Sequence, residues 1–206
     1  MRKNSKYILY LLLYLLIQEI TGGVFIVLFG LNKNLRLIEY DWKVAFANIL
    51  ILVVLFIVLR EHTKQYISKL NFSRKKIGLH FLMGILFSIL SKFIFIKIYG
   101  GSFYLKSPDS FLLSNVLSVV LIGPIAEEII FRVIPIEYLL KKEVPKNWII
   151  FFTSLFFSLV HLPNWPQVIV TFLLGIICSI VYTKERNLLY PILIHFIYNL
   201  FSVFIG

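Results

Sequence analysis

Seven apolar runs dominate this chain, at residues 7–30, 44–59, 77–99, 109–131, 147–162, 167–183 and 188–205. Each is near the length a helix needs to cross hydrocarbon, about 20 residues. A lipid core offers no water to backbone groups, so a spanning segment must bond its own N–H and C=O groups. The fold class expected is an all-α membrane protein, a polytopic bundle of about seven transmembrane helices. The runs at 44–59 and 147–162 are the shortest of the set. Composition agrees, since 59% of the 206 residues are hydrophobic, far more than a soluble domain of this length carries. The first run has basic flanks but no small-residue cleavage site, and reads as a retained span.

The formal net charge of +11 at first suggests nucleic acid. Its placement argues for a membrane instead. Arg2, Lys3 and Lys6 precede the first run, and Arg60, Lys64, Lys69, Arg74, Lys75 and Lys76 fill the connection before the third. Arg132, Lys141, Lys142 and Lys146 follow the fourth, and Lys184 and Arg186 separate the last two. Fifteen of the 21 basic residues thus fall on alternate connections, which places the N-terminus in the cytoplasm and, with seven spans, the C-terminus outside. The partner implied is anionic membrane lipid, not nucleic acid, because no basic surface interleaved with aromatics accompanies the charge.

Cys178 is the one cysteine, inside an apolar run, which excludes a disulfide framework and a thiolate metal site. No internal repeat, low-complexity tail or long linker divides the chain. Residues 1–206 therefore read as a single transmembrane domain, with 1–108 supplying N-terminal helices and a basic cytoplasmic loop.

Strongly polar groups inside hydrocarbon are costly and are functional candidates by default. They are Gln18 and Glu19, the cluster Glu127, Glu128 and Arg132, His161, and His195 with Asn199. Glu128 and Arg132 are four apart and can form an ion pair on one helical face. Glu127 lies about 100° round the helix, shares its face with Phe131, and is left without a partner. Pro124 and Gly123, just upstream, predict a kink that frees carbonyls beside a cavity. His195 and Asn199 share one face of the last span, which Pro191 begins. His62 and His80, in or next to the basic connection, read as solvated or interfacial. Glu19 reads as a packing hydrogen bond.

Each of these residues has an ordinary structural reading, as an ion pair or a bonded core histidine. Together they supply the parts of a hydrolytic site. A Glu can take a proton from water and return it to a leaving amine. A His can orient that water, while a second His and an Asn can stabilise an oxyanion, at about 3 kcal/mol per donor. The same groups could also form the proton relay of a small carrier, although no repeat symmetry supports one.

Three patterns carry a resemblance: Glu127-Glu128-x-x-x-Arg132, Phe157-x-x-x-His161 and His195-x-x-x-Asn199. In this order and spacing the chain resembles the CPBP family, the CAAX prenyl protease type 2 and bacteriocin-processing intramembrane proteases also called Abi. The resemblance covers about residues 109–203, expected as the catalytic core, with its active site buried between the C-terminal helices. It implies an intramembrane endopeptidase in which Glu127 is the general base and His161 helps activate water. His195 and Asn199 would stabilise the oxyanion, Glu128 and Arg132 would brace the site as a pair, and Phe157 would position His161. It admits two mechanisms. One is glutamate-type, with no cofactor, and is favoured; the other places zinc on Glu127, His161 and His195.

The substrate implied is a membrane-associated, leader or lipid-modified peptide, in peptide maturation or bacteriocin self-immunity. The abundance of Lys, Asn, Ile and Phe suggests a bacterial cell membrane. The alternative is a non-enzymatic immunity or regulatory protein on the same scaffold. One geometric tension accompanies these readings. Glu127 lies midway along its helix while His161 ends the next, so the two meet only if HLPNWPQ turns inside the membrane or the fifth helix is displaced toward the cytoplasm.

Overall fold

The computed structural model describes residues 72–100 and 116–205, with a few isolated positions besides. The apolar runs at 7–30 and 44–59, with Gln18, Glu19 and His62, lie outside the described residues, isolated positions aside. The chain divides into two compact units, residues 1–65 with 107–126, and residues 66–106 with 127–206. Of the first, the described part is chiefly the π-helical segment Val116–Ile122 and most of the short helix α2 (Gly123–Glu128).

Among the described residues of the second unit, every regular element is a helix. α1 is Arg74–Tyr99, α3 Ile134–Lys141, α4 Lys146–Leu159, α5 Trp165–Glu185 and α6 Leu189–Phe204. A π-helical segment, Ile129–Val133, precedes α3. The boundaries have local causes. Ser73 begins α1 by accepting from the Lys76 N–H, and Asn164 begins α5 by accepting from the Gln167 N–H at 3.2 Å. Pro166 occupies the first turn of α5 and Pro191 that of α6, where a missing N–H costs nothing. Arg186, at φ 53°, ends α5 in the left-handed conformation.

α1 packs against α6, α4 against α5, and α5 against α6. The α4–α5 crossing is close because Gly175 faces Ser154, where an added Cβ would stand 3.0 Å from the Ser154 Cα. Small residues at such a crossing let apolar backbones approach without help from the hydrophobic effect. α1 and α5 are long and apolar enough to span a bilayer, while α4 and α6 are shorter apolar helices. Leu79, Leu82, Leu86, Leu90 and Phe93 on α1 are exposed, as are Phe151, Phe152 and Phe156 on α4. Such continuous outward apolar surface suits lipid.

Charge gathers at one end of this unit. There Lys76 pairs with Glu185, and Arg186 with Glu137, drawing together the start of α1, the end of α5 and the middle of α3. This agrees with the basic connections sorted from the sequence, with one correction. Arg132 is no loop residue. The helical run continues to Lys141, and Arg132 is wholly buried within it. A second correction concerns His80, which is buried, with its Nδ1–H donating to the Lys76 carbonyl at 2.7 Å.

Candidate active site

The helical run through α2, the π-helical segment and α3 presents Glu127, Glu128 and Arg132 on successive turns. Pro124 removes a backbone donor from it, and wider turns of this kind recur at functional sites. Glu128 and Arg132 are both wholly buried, with Arg132 Nε 3.2 Å from Glu128 Oε2. The guanidinium also lies over the Phe157 ring, 4.1 Å from its centroid. Burying two charges costs several kcal/mol per ion before any interaction repays it. A carboxylate on one edge and a π face on the other offset that cost. The ionic contact is not an aligned hydrogen bond, and among the described residues the terminal nitrogens Nη1 and Nη2 have no nitrogen or oxygen hydrogen-bond partner.

The other oxygen of Glu128 has a different task. Its Oε1 accepts the Nδ1–H of His195 at 2.9 Å. A carboxylate can only accept, so this bond fixes the imidazole tautomer and ring plane. Nε2 is thereby left facing Glu127, whose Oε2 is 3.7 Å away. Glu127 keeps its side chain about one-fifth exposed, whereas Glu128 is sealed. The pairing expected of Glu128 and Arg132 is present, and the link to His195 is added to it.

His161 sits in the turn after α4, half-buried. Its Nδ1–H donates to the Phe157 carbonyl at 3.1 Å, and its ring meets the Phe157 ring edge-on at 5.3 Å. Phe157 is fully buried and also meets His195 at 5.5 Å and Phe131 at 5.4 Å. One aromatic ring thus touches both histidines and the arginine. Glu127 and His195 both act electrostatically on His161, so the three groups share one neighbourhood. Asn199 follows His195 one turn along α6 and is half-buried.

The tension over depth resolves through the hairpin. α3 and α4 pack together about the connection at 142–145. Counting back to Glu127 and forward to His161 gives nearly equal helical rises, each about 20 Å. The two residues therefore lie at similar separations along the chain from that connection, because the helix carrying Glu127 runs to Lys141 instead of ending at 131. HLPNWPQ supplies the turn that then begins α5.

A second buried polar group was missed. Glu137 accepts the Tyr182 hydroxyl at 2.9 Å and pairs with Arg186. It lies beside the apolar cluster of Val133, Ile136, Ile149 and Tyr182. The available signal was a lone carboxylate in the apolar stretch IPIEYLL. His195 and His161 each bond through Nδ1, which leaves Nε2 as the ring nitrogen able to ligate; among the described residues no group of three His, Cys, Asp or Glu side chains is gathered as for an ion.

This apolar helical unit buries an arginine, a glutamate and a histidine in contact, with the partly exposed Glu127 beside them, an arrangement consistent with a membrane protein that holds a polar centre. Residues 109–201 match the family model described as type II CAAX prenyl endopeptidase, Rce1-like, and it is this segment of the chain that is similar to the CAAX-type protease family. The match spans Glu127, His161, His195 and Asn199 and stops short of α1. No curated protein and no solved structure matches the chain.

Proposed function

We propose that the chain is a multi-pass intramembrane endopeptidase in which Glu127 activates the hydrolytic water. The observation that carries this reading is the bridge through His195, which bonds Glu128 at 2.9 Å and turns its other nitrogen to Glu127 at 3.7 Å. The partly exposed carboxylate is the one that substrate and water reach. Its gap to Nε2 exceeds a hydrogen bond, so the two groups are neighbours and not a bonded pair.

In this mechanism Glu127 takes a proton from water as the water oxygen attacks the scissile carbonyl. The electron pair of the carbonyl moves to its oxygen. His161, with Nδ1 held by Phe157, offers Nε2 to orient the water. Asn199 donates to the oxyanion, and His195 does so from Nε2 when that nitrogen carries a proton in addition to the one Nδ1 gives to Glu128. Collapse of the tetrahedral intermediate expels the amine, which leaves with the proton Glu127 carried. Each step uses protein groups alone, a glutamate-type route without metal. The substrate class is a membrane-associated peptide, either lipid-modified at a CAAX end or a leader-type peptide of a bacterial cell membrane.

The test is turnover by the purified chain in proteoliposomes, with a farnesylated CAAX-ended peptide and an unmodified leader-type peptide as separate substrates. Glu127→Gln and His161→Ala are expected to lose at least about 100-fold in kcat. Full activity in both variants would overturn the reading.

A further inference from the structure

α1 lies outside the family-matched segment, yet it lines α6, which carries His195 and Asn199. The two helices touch at four levels. Near the charged end the His80 ring stacks on Tyr190, with centroids 4.4 Å apart and planes 11° from parallel. A turn further, Gly84 meets Ile194 and Ile197, the residues that bracket His195. Phe87 then meets Tyr198 at 5.5 Å. Finally Lys92, a cation within an apolar helix, donates to the Ile205 carbonyl, the cap residue at the C-terminus of α6.

The contact at Gly84 leaves no room for a side chain. An added Cβ would stand 2.8 Å from the Ile197 Cβ and 3.3 Å from the Ile194 carbonyl oxygen. Carbon atoms prefer about 3.5–4.0 Å, so even a methyl group would push α6 by up to about 1 Å. The neighbouring hydroxyls do not compete for this surface, since Ser88 bonds back to the Gly84 carbonyl and Ser91 to that of Ser88, both at 2.7 Å. Lys92 acts along the other axis. Its ammonium meets the negative end of the α6 dipole and opposes sliding of α6 along α1.

We propose that Gly84 is a positioning residue that sets how far α6 stands from α1, and so the gap between His195 and Glu127, with Lys92 holding the axial register. The inference rests on the proposed hydrolytic role of His195. It assigns the family-unmatched helix a definite task as the wall against which half of the site is placed. Gly78 on the same helix provides the control, because a Cβ there meets nothing within 4 Å.

The experiment compares Gly84→Ala, Gly78→Ala, Lys92→Met and Lys92→Arg in proteoliposomes. It reads kcat and KM on the two peptides above, together with the 15N resonances of the His195 ring. Gly84→Ala is expected to lower kcat about 10-fold, well short of the ~100-fold that a full 1 Å misplacement can cost, with KM within 2-fold and the ring signal shifted. Gly78→Ala should change neither, and Lys92→Arg should retain what Lys92→Met loses. A Gly84→Ala protein with wild-type kcat and an unmoved ring signal overturns the proposal. If that variant does not fold, the Lys92 pair decides by the same two readouts. If the unaltered chain cleaves neither peptide, that result counts against the protease reading alone. The ring signal then decides the inference, with a shift in Gly84→Ala but not Gly78→Ala supporting it and no shift overturning it.

Discussion

Glu128 holds His195 by one oxygen, 2.9 Å from Nδ1, and Arg132 by the other, 3.2 Å from Nε. The carboxylate that the sequence pairs with an arginine therefore also orients the imidazole. A residue four positions away on its own helix and one on α6 compete for nothing, because each takes a separate oxygen.

Removing the charge of Glu128 should cost more than removing that of Glu127. Glu128→Gln leaves Arg132 buried without a counter-charge, a loss of about 3–5 kcal/mol. Glu127→Gln affects a side chain about one-fifth exposed and should leave folding nearly unchanged while abolishing turnover. Thermal unfolding of the two variants in detergent checks the order, and equal stabilities would refute it.

Arg132→Lys should not preserve the site. An ammonium cannot lie flat on Phe157 while reaching Glu128, as the guanidinium does at 4.1 Å from the ring. Peptide turnover is expected to fall about 10-fold or more, on the scale seen when supporting groups around a site are changed. A lysine variant with wild-type kcat would show that the stacking is dispensable.

The two acidic ion pairs at the charged end should behave differently. Glu137 is buried, with Tyr182 and Arg186 as partners. Glu137→Ala should lower stability by about 3 kcal/mol, since it removes the carboxylate that accepts from the Tyr182 hydroxyl and pairs with Arg186. Glu185 pairs with the exposed Lys76, and Glu185→Gln should leave the melting temperature unmoved. Comparable losses in both would contradict this division.

Gly175→Leu should part α4 from α5. An added Cβ already stands 3.0 Å from Ser154 backbone, so the larger side chain must displace the helix that carries Phe157. Overpacking of this kind costs about 1–3 kcal/mol. Activity should fall further than stability alone explains, measured as kcat per folded molecule.

Metal dependence can be checked directly. Turnover in 1,10-phenanthroline or EDTA is expected to stay within 2-fold of the untreated value. Inhibition reversed by added zinc would replace the proposed glutamate-type route with a metal-assisted one.

Much of the architecture is legible in apolar length. The runs at 77–99, 167–183 and 188–205 fall within or close to helices α1, α5 and α6, because hydrocarbon admits few alternatives. Pro191 marks the start of α6 as expected, since a proline is tolerated among the unbonded donors of a first turn. The end of the run at 131 is misleading. Arg132 resembles an interfacial charge, and only its partners, Glu128 and the Phe157 ring, keep it inside. His80 misleads for the same reason, its polarity being absorbed by the Lys76 carbonyl and the Tyr190 ring.

By itself the sequence determined that this chain is helical and apolar, and that a few charged and imidazole groups recur at one-turn spacings within it. Those spacings follow from helix periodicity, a local property. Tertiary structure decided which oxygen of Glu128 meets His195, that Glu127 and His161 share one neighbourhood, and that α1 packs against α6. These relationships join residues 34 to 113 positions apart. No periodicity within one helix encodes them. They depend on how closely the helices approach, as Gly84 and Gly175 allow, and on buried charges that are stable only where their partners arrive from another helix.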